Sequence, residues 1–152
     1  MTNVRFVFPK PRLAKLLKTP GGLPVAEALE RAQANLETIR PTCLAELQAL
    51  LELTEARFEA MGRDFDDQQL ADLYAVAVRG IGGGEVCLVP AVDLALTSLC
   101  DLLDHLRTAR RYDRDAIAVH VQAWRMLMVM GDQPGAAAVV DGLRKVSARY
   151  AA

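Results

Sequence analysis

The stretch "VAEALERAQANLETIRPTCLAELQALLELTEARFEAM", residues 25–61, decides the fold class. Apolar or small residues fall at Val25, Leu29, Ala32, Leu36, Ile39, Cys43, Leu47, Leu50, Thr54, Phe58 and Met61. Every step is three or four residues, so one stripe runs down one helical face, and the spacing predicts a long amphipathic helix. Pro41 removes a backbone donor, crowds the preceding turn and disfavours helical geometry at Arg40. A kink or break is therefore expected near 40–42, with both halves burying the same stripe.

Working outward, "GRDFDDQQ" reads as a turn. Gly62 can close the long helix, and Asp64 or Asp66 can cap the next one. A helix over 66–81 directs Leu70, Leu73, Ala77 and Ile81 inward, and Gly82, Gly83 and Gly84 end it. Pro90 restarts a helix to about 109, with Val92, Ala95, Leu99, Leu102, Leu103 and Leu106 apolar. Asp113 is a candidate N-cap for a helix over 114–130 that buries Ile117, Val121, Trp124 and Leu127. "GDQPG" turns the chain again, with Asp132 as cap and Pro134 in the first turn. The last helix uses Val139, Leu143, Val146 and Tyr150. The connections are short, so the expected architecture is all-α, an up-and-down antiparallel bundle.

The N-terminus differs. Val4, Phe6 and Phe8 alternate with polar residues and read as a short extended segment, closed by Pro9 and Pro11. "RLAKLLK", 12–18, is a short amphipathic helix, and "TPGGLP", 19–24, stops and restarts the chain. The expected organisation is an arm over 1–23 and a helical bundle over 24–152. Residues 1–26 hold Arg5, Lys10, Arg12, Lys15 and Lys18 and no acid, whereas the remainder has 13 basic against 19 acidic residues. A basic arm thus precedes an acidic body, either docked on it or reaching for a partner or an anionic surface.

Composition excludes several classes. Of 152 residues, 52% are apolar, which rules out a disordered chain, and scarce aromatics with many Ala and Leu favour helix packing over a sandwich. No apolar run approaches the ~20 residues of a spanning helix. "VRFVF" is too short for a signal-peptide core, so the expected location is cytoplasmic. The basic arm lacks the interleaved aromatics of a single-strand platform, so no nucleic-acid partner is expected. Cys43, Cys87 and Cys100 lie far apart with no CxxC, and His105 and His120 complete no metal set. No metal or cofactor is expected, and the thiols read as buried and reduced.

The remaining chemistry-bearing features are few. A P-loop needs a strand before its glycines and Gly-Lys-Ser/Thr after them, but here a helix precedes and Glu85 and Val86 follow. Asp66 and Asp67 read as a solvated capping cluster rather than a glycosidase pair, which needs a cleft. His105 sits among Asp101, Asp104 and Thr108 on a polar face, and His120 flanks the Val121 stripe. Neither has a partner in sequence that would make it a catalytic dyad. Nearly pure apolar stripes also leave few groups to orient a small ligand.

"LYAVAVRGIGGG", 73–84, and "VPAVDLALTSLCDLL", 89–103, together resemble the core hairpin of histidine phosphotransfer (HPt) domains. Those are helical bundles with a His-x-x-Lys-Gly pattern on one helix. Arg79 and Gly80 match the cation and glycine of the pattern, while Val76 stands at the acceptor position and carries no nucleophile. "PRLAKLLKTPGGLPVAEALERAQANLETIR", 11–40, resembles the start of a small alphaproteobacterial family of chemotaxis proteins, CheE. The resemblance implies an HPt-like four-helix core and a non-catalytic signalling adaptor. Its partner would be a response-regulator receiver domain or a chemotaxis kinase component, met at Val76, Arg79, Gly80 and Gly83. Two alternatives stay open: a true phosphotransfer protein with the acceptor relocated to His105, or an assembly module that forms a homodimer through the 25–61 stripe or the arm.

Overall fold

The computed structural model describes residues 21–131 and 133–151. The expected extended segment at 4–8, the helix at 12–18 and the Asp132 cap lie outside those residues. The described elements are all α-helical: α1 (Val25–Ala60), α2 (Asp67–Gly80), α3 (Gly83–Cys87), α4 (Pro90–Thr108), α5 (Arg114–Met130) and α6 (Gly135–Ser147). No helix among them is long and apolar enough to cross a membrane. The chain divides into two compact units, Met1–Asn35 and Leu36–Ala152.

The second unit is organised around α4. Val92, Ala95, Leu96, Leu99, Leu102, Leu103 and Leu106 are all essentially inaccessible to solvent. Spacing alone picks out six of them, all but Leu96, and with the also buried Ser98 and Cys100 they cover more than half of the helix circumference, so α4 needs neighbours on several sides. It has them in α2, α3, α5 and α6, and α5 also packs on α6. The ends of these helices follow local chemistry. The Asp66 carboxylate accepts from the backbone N–H groups of Gln68 and Gln69 at the start of α2. Asp113 accepts from Ala116 N–H at the start of α5. Each cap satisfies donors that the first helical turn leaves orphaned. The hydroxyl of Tyr150 donates to the other oxygen of Asp113, tying the end of α6's chain segment to the start of α5.

Helix α1 runs through Pro41 as one element, so of the expected kink or break the break does not occur. Its stripe departs from expectation, because it is not buried throughout. Leu47, Leu50, Leu51 and Thr54 are in the core, with Cys43 and Phe58 half-buried against it. Val25, Leu29, Leu36 and Ile39 are 77%, 65%, 45% and 47% exposed. The later half is also anchored by polar contacts: Arg57 donates to the carbonyl of Asp72, and Arg125 pairs with Glu55. Arg114 donates to the carbonyl of Met61 and lies 4.5 Å over the Phe58 ring.

Two inward assignments also shift. Ile81 is exposed, whereas Val76 and Gly80 are buried with Leu70, Leu73 and Ala77. The helix ends at Gly80, so Ile81 no longer lies on the helical face that spacing alone would give it. In α6 the buried apolar positions are Ala136, Val140 and Leu143, with Ser147 buried beside them, while Val139, Val146 and the following Tyr150 are only partly covered.

The divided stripe makes two leucines of one helix unequal. Leu51→Ala should lower unfolding free energy by about 2–5 kcal/mol. Leu36→Ala, in dilute protein, should change it by no more than about 0.5 kcal/mol. Urea unfolding followed by circular dichroism measures both, and equal costs would contradict the observed burial.

Candidate functional site

The glycine-rich turn between α2 and α4 is built for packing. A Cβ on Gly80 would come within 2.8 Å of Leu96 Cδ1 and 3.5 Å of Leu47 Cδ2. One on Gly83 would meet Leu47 at 3.1 Å, and one on Gly84 would meet the carbonyl oxygen of Val89 at 2.8 Å. Gly82 alone needs glycine for its backbone, at φ 93°. Three N–H groups of this turn converge, as in anion-binding nests. The anion they hold is the chain's own: Gly82 and Gly84 donate to Asp93 Oδ1 at 2.9 and 3.0 Å, and Glu85 donates to Asp93 Oδ2 at 3.0 Å. A phosphate here would have to displace a carboxylate of the same charge sign. The turn is therefore a structural clasp between α3 and α4.

The HPt-like positions do not form one surface. Val76 is 3% exposed and belongs to the core cluster, so its side chain offers nothing to a partner. Gly80 is buried between Leu96 and Leu47, so it opens no approach to the surface either. Arg79 is exposed and pairs with Glu46 across to α1 at 3.1 Å, with both side chains more than half in solvent. Such a pair contributes at most ~1 kcal/mol. Arg79, Gly80 and the half-buried Gly83 do line one groove of about 360 Å³, together with Thr42, Cys43, Glu46, Leu47 and Leu50 of α1. Its walls are apolar and its mouth carries the Arg79–Glu46 pair. Arg40, nearby on α1, donates to the carbonyl of Val86 at 3.1 Å.

The histidines also differ from expectation. His105 is half-buried, and its Nδ1 is enclosed without a hydrogen-bond partner, so only Nε2 is left for a phosphoryl group. His120 is a core residue, 1% exposed. Its Nδ1 lies 2.8 Å from the carbonyl of Ala116 and must donate to it. Nε2 is then the acceptor, 3.1 Å from Ser98 Oγ and 3.2 Å from Ser147 Oγ. Ser147 spends its proton on the carbonyl of Ser98 at 3.0 Å, which leaves the Ser98 hydroxyl to donate to Nε2. One serine–histidine–serine cluster thus links α4, α5 and α6. Spacing gives no sign of it, because Ser98 and Ser147 stand 22 and 27 residues from His120. A serine hydrogen-bonded to a histidine is also the kernel of nucleophilic catalysis. Here all three side chains are sealed in the core, where no substrate reaches them. Their role is to satisfy one another in a low-dielectric interior.

Among the described residues no group of three or more His, Cys, Asp and Glu is placed to hold a metal ion. Cys43, Cys87 and Cys100 are free thiols, and burial pushes Cys100 up to about 11, far from a reactive thiolate. Comparison with known proteins finds no matching family model, curated protein or solved structure.

Burial holds the His120 pKa below its ordinary value of 6.5, against the smaller opposing effect of the Ala116 carbonyl. The folded state thus prefers the neutral ring, and the unfolded state binds the proton first. That contribution to stability is complete above the ordinary histidine value and is lost as pH falls through the lower folded value. Unfolding free energy should therefore drop between about pH 7 and 5, before ordinary carboxylates titrate. In His120→Gln this portion of the slope should vanish. An unchanged slope in that variant would show that another group is responsible.

Proposed function

We propose that this protein is a non-catalytic interaction module, an adaptor that works by binding another protein through the exposed face of α1. The observation that carries this is the row Val25, Leu29, Leu36 and Ile39, four large aliphatic side chains on one helical face and about half or more in solvent. Isolated exposed aliphatics are ordinary, but an aligned row of them is a docking feature. Fully burying one such side chain is worth ~1.5–3 kcal/mol, so covering the exposed fractions on both partners reaches several kcal/mol. That is of the order needed against an association cost of ~4–15 kcal/mol. The polar chemistry of the body supports the same conclusion, since the serine–histidine cluster and the glycine-turn donors are engaged within the chain itself.

A photo-crosslinking residue placed at Leu29 in living cells tests this. It should capture a protein, whether another chain or a second copy, while the same residue at Glu30 should capture far less. Equal labelling at both positions, or none at Leu29, would contradict a docking face.

A second proposal keeps the signalling role and the HPt-like, up-and-down arrangement implied by the family resemblance. The groove beside Arg79 and Gly83 favours it, because it joins an apolar floor to one exposed cation at its mouth. In this version the partner is a response-regulator receiver domain or a chemotaxis kinase component, and the contact is made by Arg79, Gly83 and the α1 wall without Val76. Arg79→Glu should weaken binding of a purified receiver domain at least ~10-fold, about 1.4 kcal/mol, with no change in unfolding midpoint. Undiminished affinity in the folded variant would remove the groove as the contact.

A further inference from the structure

The exposed row of α1 carries more information than its apolarity. Val25, Leu29, Ala32, Leu36 and Ile39, followed by the half-buried Cys43, are separated by 4, 3, 4, 3 and 4 residues, a strict heptad alternation. In that register Leu29, Leu36 and Cys43 take the a positions, and Val25, Ala32 and Ile39 take the d positions. The flanking e and g positions are Ala26, Gln33 and Arg40 on one side and Ala28, Asn35 and Thr42 on the other. Five of these six are uncharged, and the one cation is turned to its own body, donating to the carbonyl of Val86. The charges of this segment sit elsewhere: Glu27 and Arg31 pair with each other at 2.6 Å on the outer face, and Pro41 falls on that outer face too.

From this we infer that the occupant of the α1 face is a second copy of the same face, packed antiparallel as a short two-stranded coiled coil. The inference rests on the docking role proposed above for α1. A heptad seam packs knobs into holes against another heptad seam, and a seam meeting itself forms a closed, isologous pair. Flanks with no like charges remove the repulsion that usually forbids self-pairing. The other exposed apolar row among the described residues, Val119, Met126 and Val129 on α5, is interrupted by Gln122.

Side-chain volume selects the direction. With a parallel, in-register partner, Ala32 would face Ala32 and leave a void in the middle of the seam. Leu at a with Val and Ile at d is also the reverse of the parallel-dimer preference. Antiparallel packing pairs a with d. It sets Leu29 of one copy against Ile39 of the other, Ala32 against Leu36, and Val25 against Cys43. Each small side chain then meets a larger one, and the layers fill evenly.

Cysteine pairing reads both identity and direction. In a Cys43→Ser background, Leu29→Cys and Ile39→Cys are introduced together into the full chain and oxidised with copper phenanthroline. The two sites lie ten residues apart on one helix, ~15 Å, too far to join within one copy. The expected product is a covalent dimer whose disulfide links position 29 of one copy to position 39 of the other, identified by peptide mass spectrometry. Disulfides joining 29 to 29 and 39 to 39 would overturn the antiparallel register while leaving the docking face intact. A monomer would overturn the second copy as occupant. Sedimentation equilibrium of the unmodified chain and of Leu36→Glu guards against failure of the double variant. The exposed site lets that variant fold, and its dimer dissociation constant should rise at least roughly 10-fold. An unaltered dimer in Leu36→Glu would also overturn the proposal.

Discussion

Helix α4 is the constraint on which the second unit depends. A helix with seven sealed leucine, valine and alanine side chains, flanked by buried Ser98 and Cys100, hides more than half of its circumference and must be covered from several directions. Helices α2, α5 and α6 supply that cover, and the clasp between Asp93 and the glycine turn sets how α3 enters α4. The serine–histidine cluster adds a polar check on the same packing. Ser98 reaches its partners on α5 and α6 only when those two helices meet α4 in one register. An unsatisfied buried hydroxyl or imidazole would cost as much as a lost hydrogen bond or more, so misregistered packing is penalised.

Against that core, α1 does two different things along one stripe. Its later half contributes Leu47, Leu50, Leu51 and Thr54 to the core and is held by Arg57, Glu55 and the Arg114–Phe58 contact. Its earlier half presents the same helical face to solvent. A free helix of two heptads is marginal by itself, because nucleation is costly and few residues repay it. Continuity with the anchored half offsets that nucleation cost, so the exposed seam is presented as a helix before any partner arrives. Preorganisation of this kind lowers the ordering cost that binding would otherwise incur.

Much of the architecture was legible in the sequence because it is written locally. Asp66 and Asp113 stand immediately before apolar periods, and the structure uses both as caps. The inward positions of α4 and α5 follow from spacing, because each helix keeps one face buried over most of its length. The rest was not local. Periodicity marks a face of α1 but not whether anything lies on it, so Leu36 and Leu51 looked alike. Ile81 falls outside the core because α2 stops at Gly80, Val76 is buried because it shares a face with Leu73 and Gly80, and a five-residue helix such as α3 leaves no periodic trace. His120 looked like a boundary residue because its polar partners are far away in sequence. The match of 76–80 to a phosphotransfer pattern was read from residue types, and residue types do not show which face of α2 is outward.

Hydrogen exchange along α1, measured over a range of protein concentrations, tests the central claim most directly. The later half, 47–60, belongs to the core and should be protected to the same degree at every concentration. The earlier half, 25–39, should exchange faster than 47–60 in dilute protein and gain protection as concentration rises, since mass action fills the seam. Protection of 25–39 that is already strong in dilute protein and does not respond to concentration would contradict an open docking face on α1.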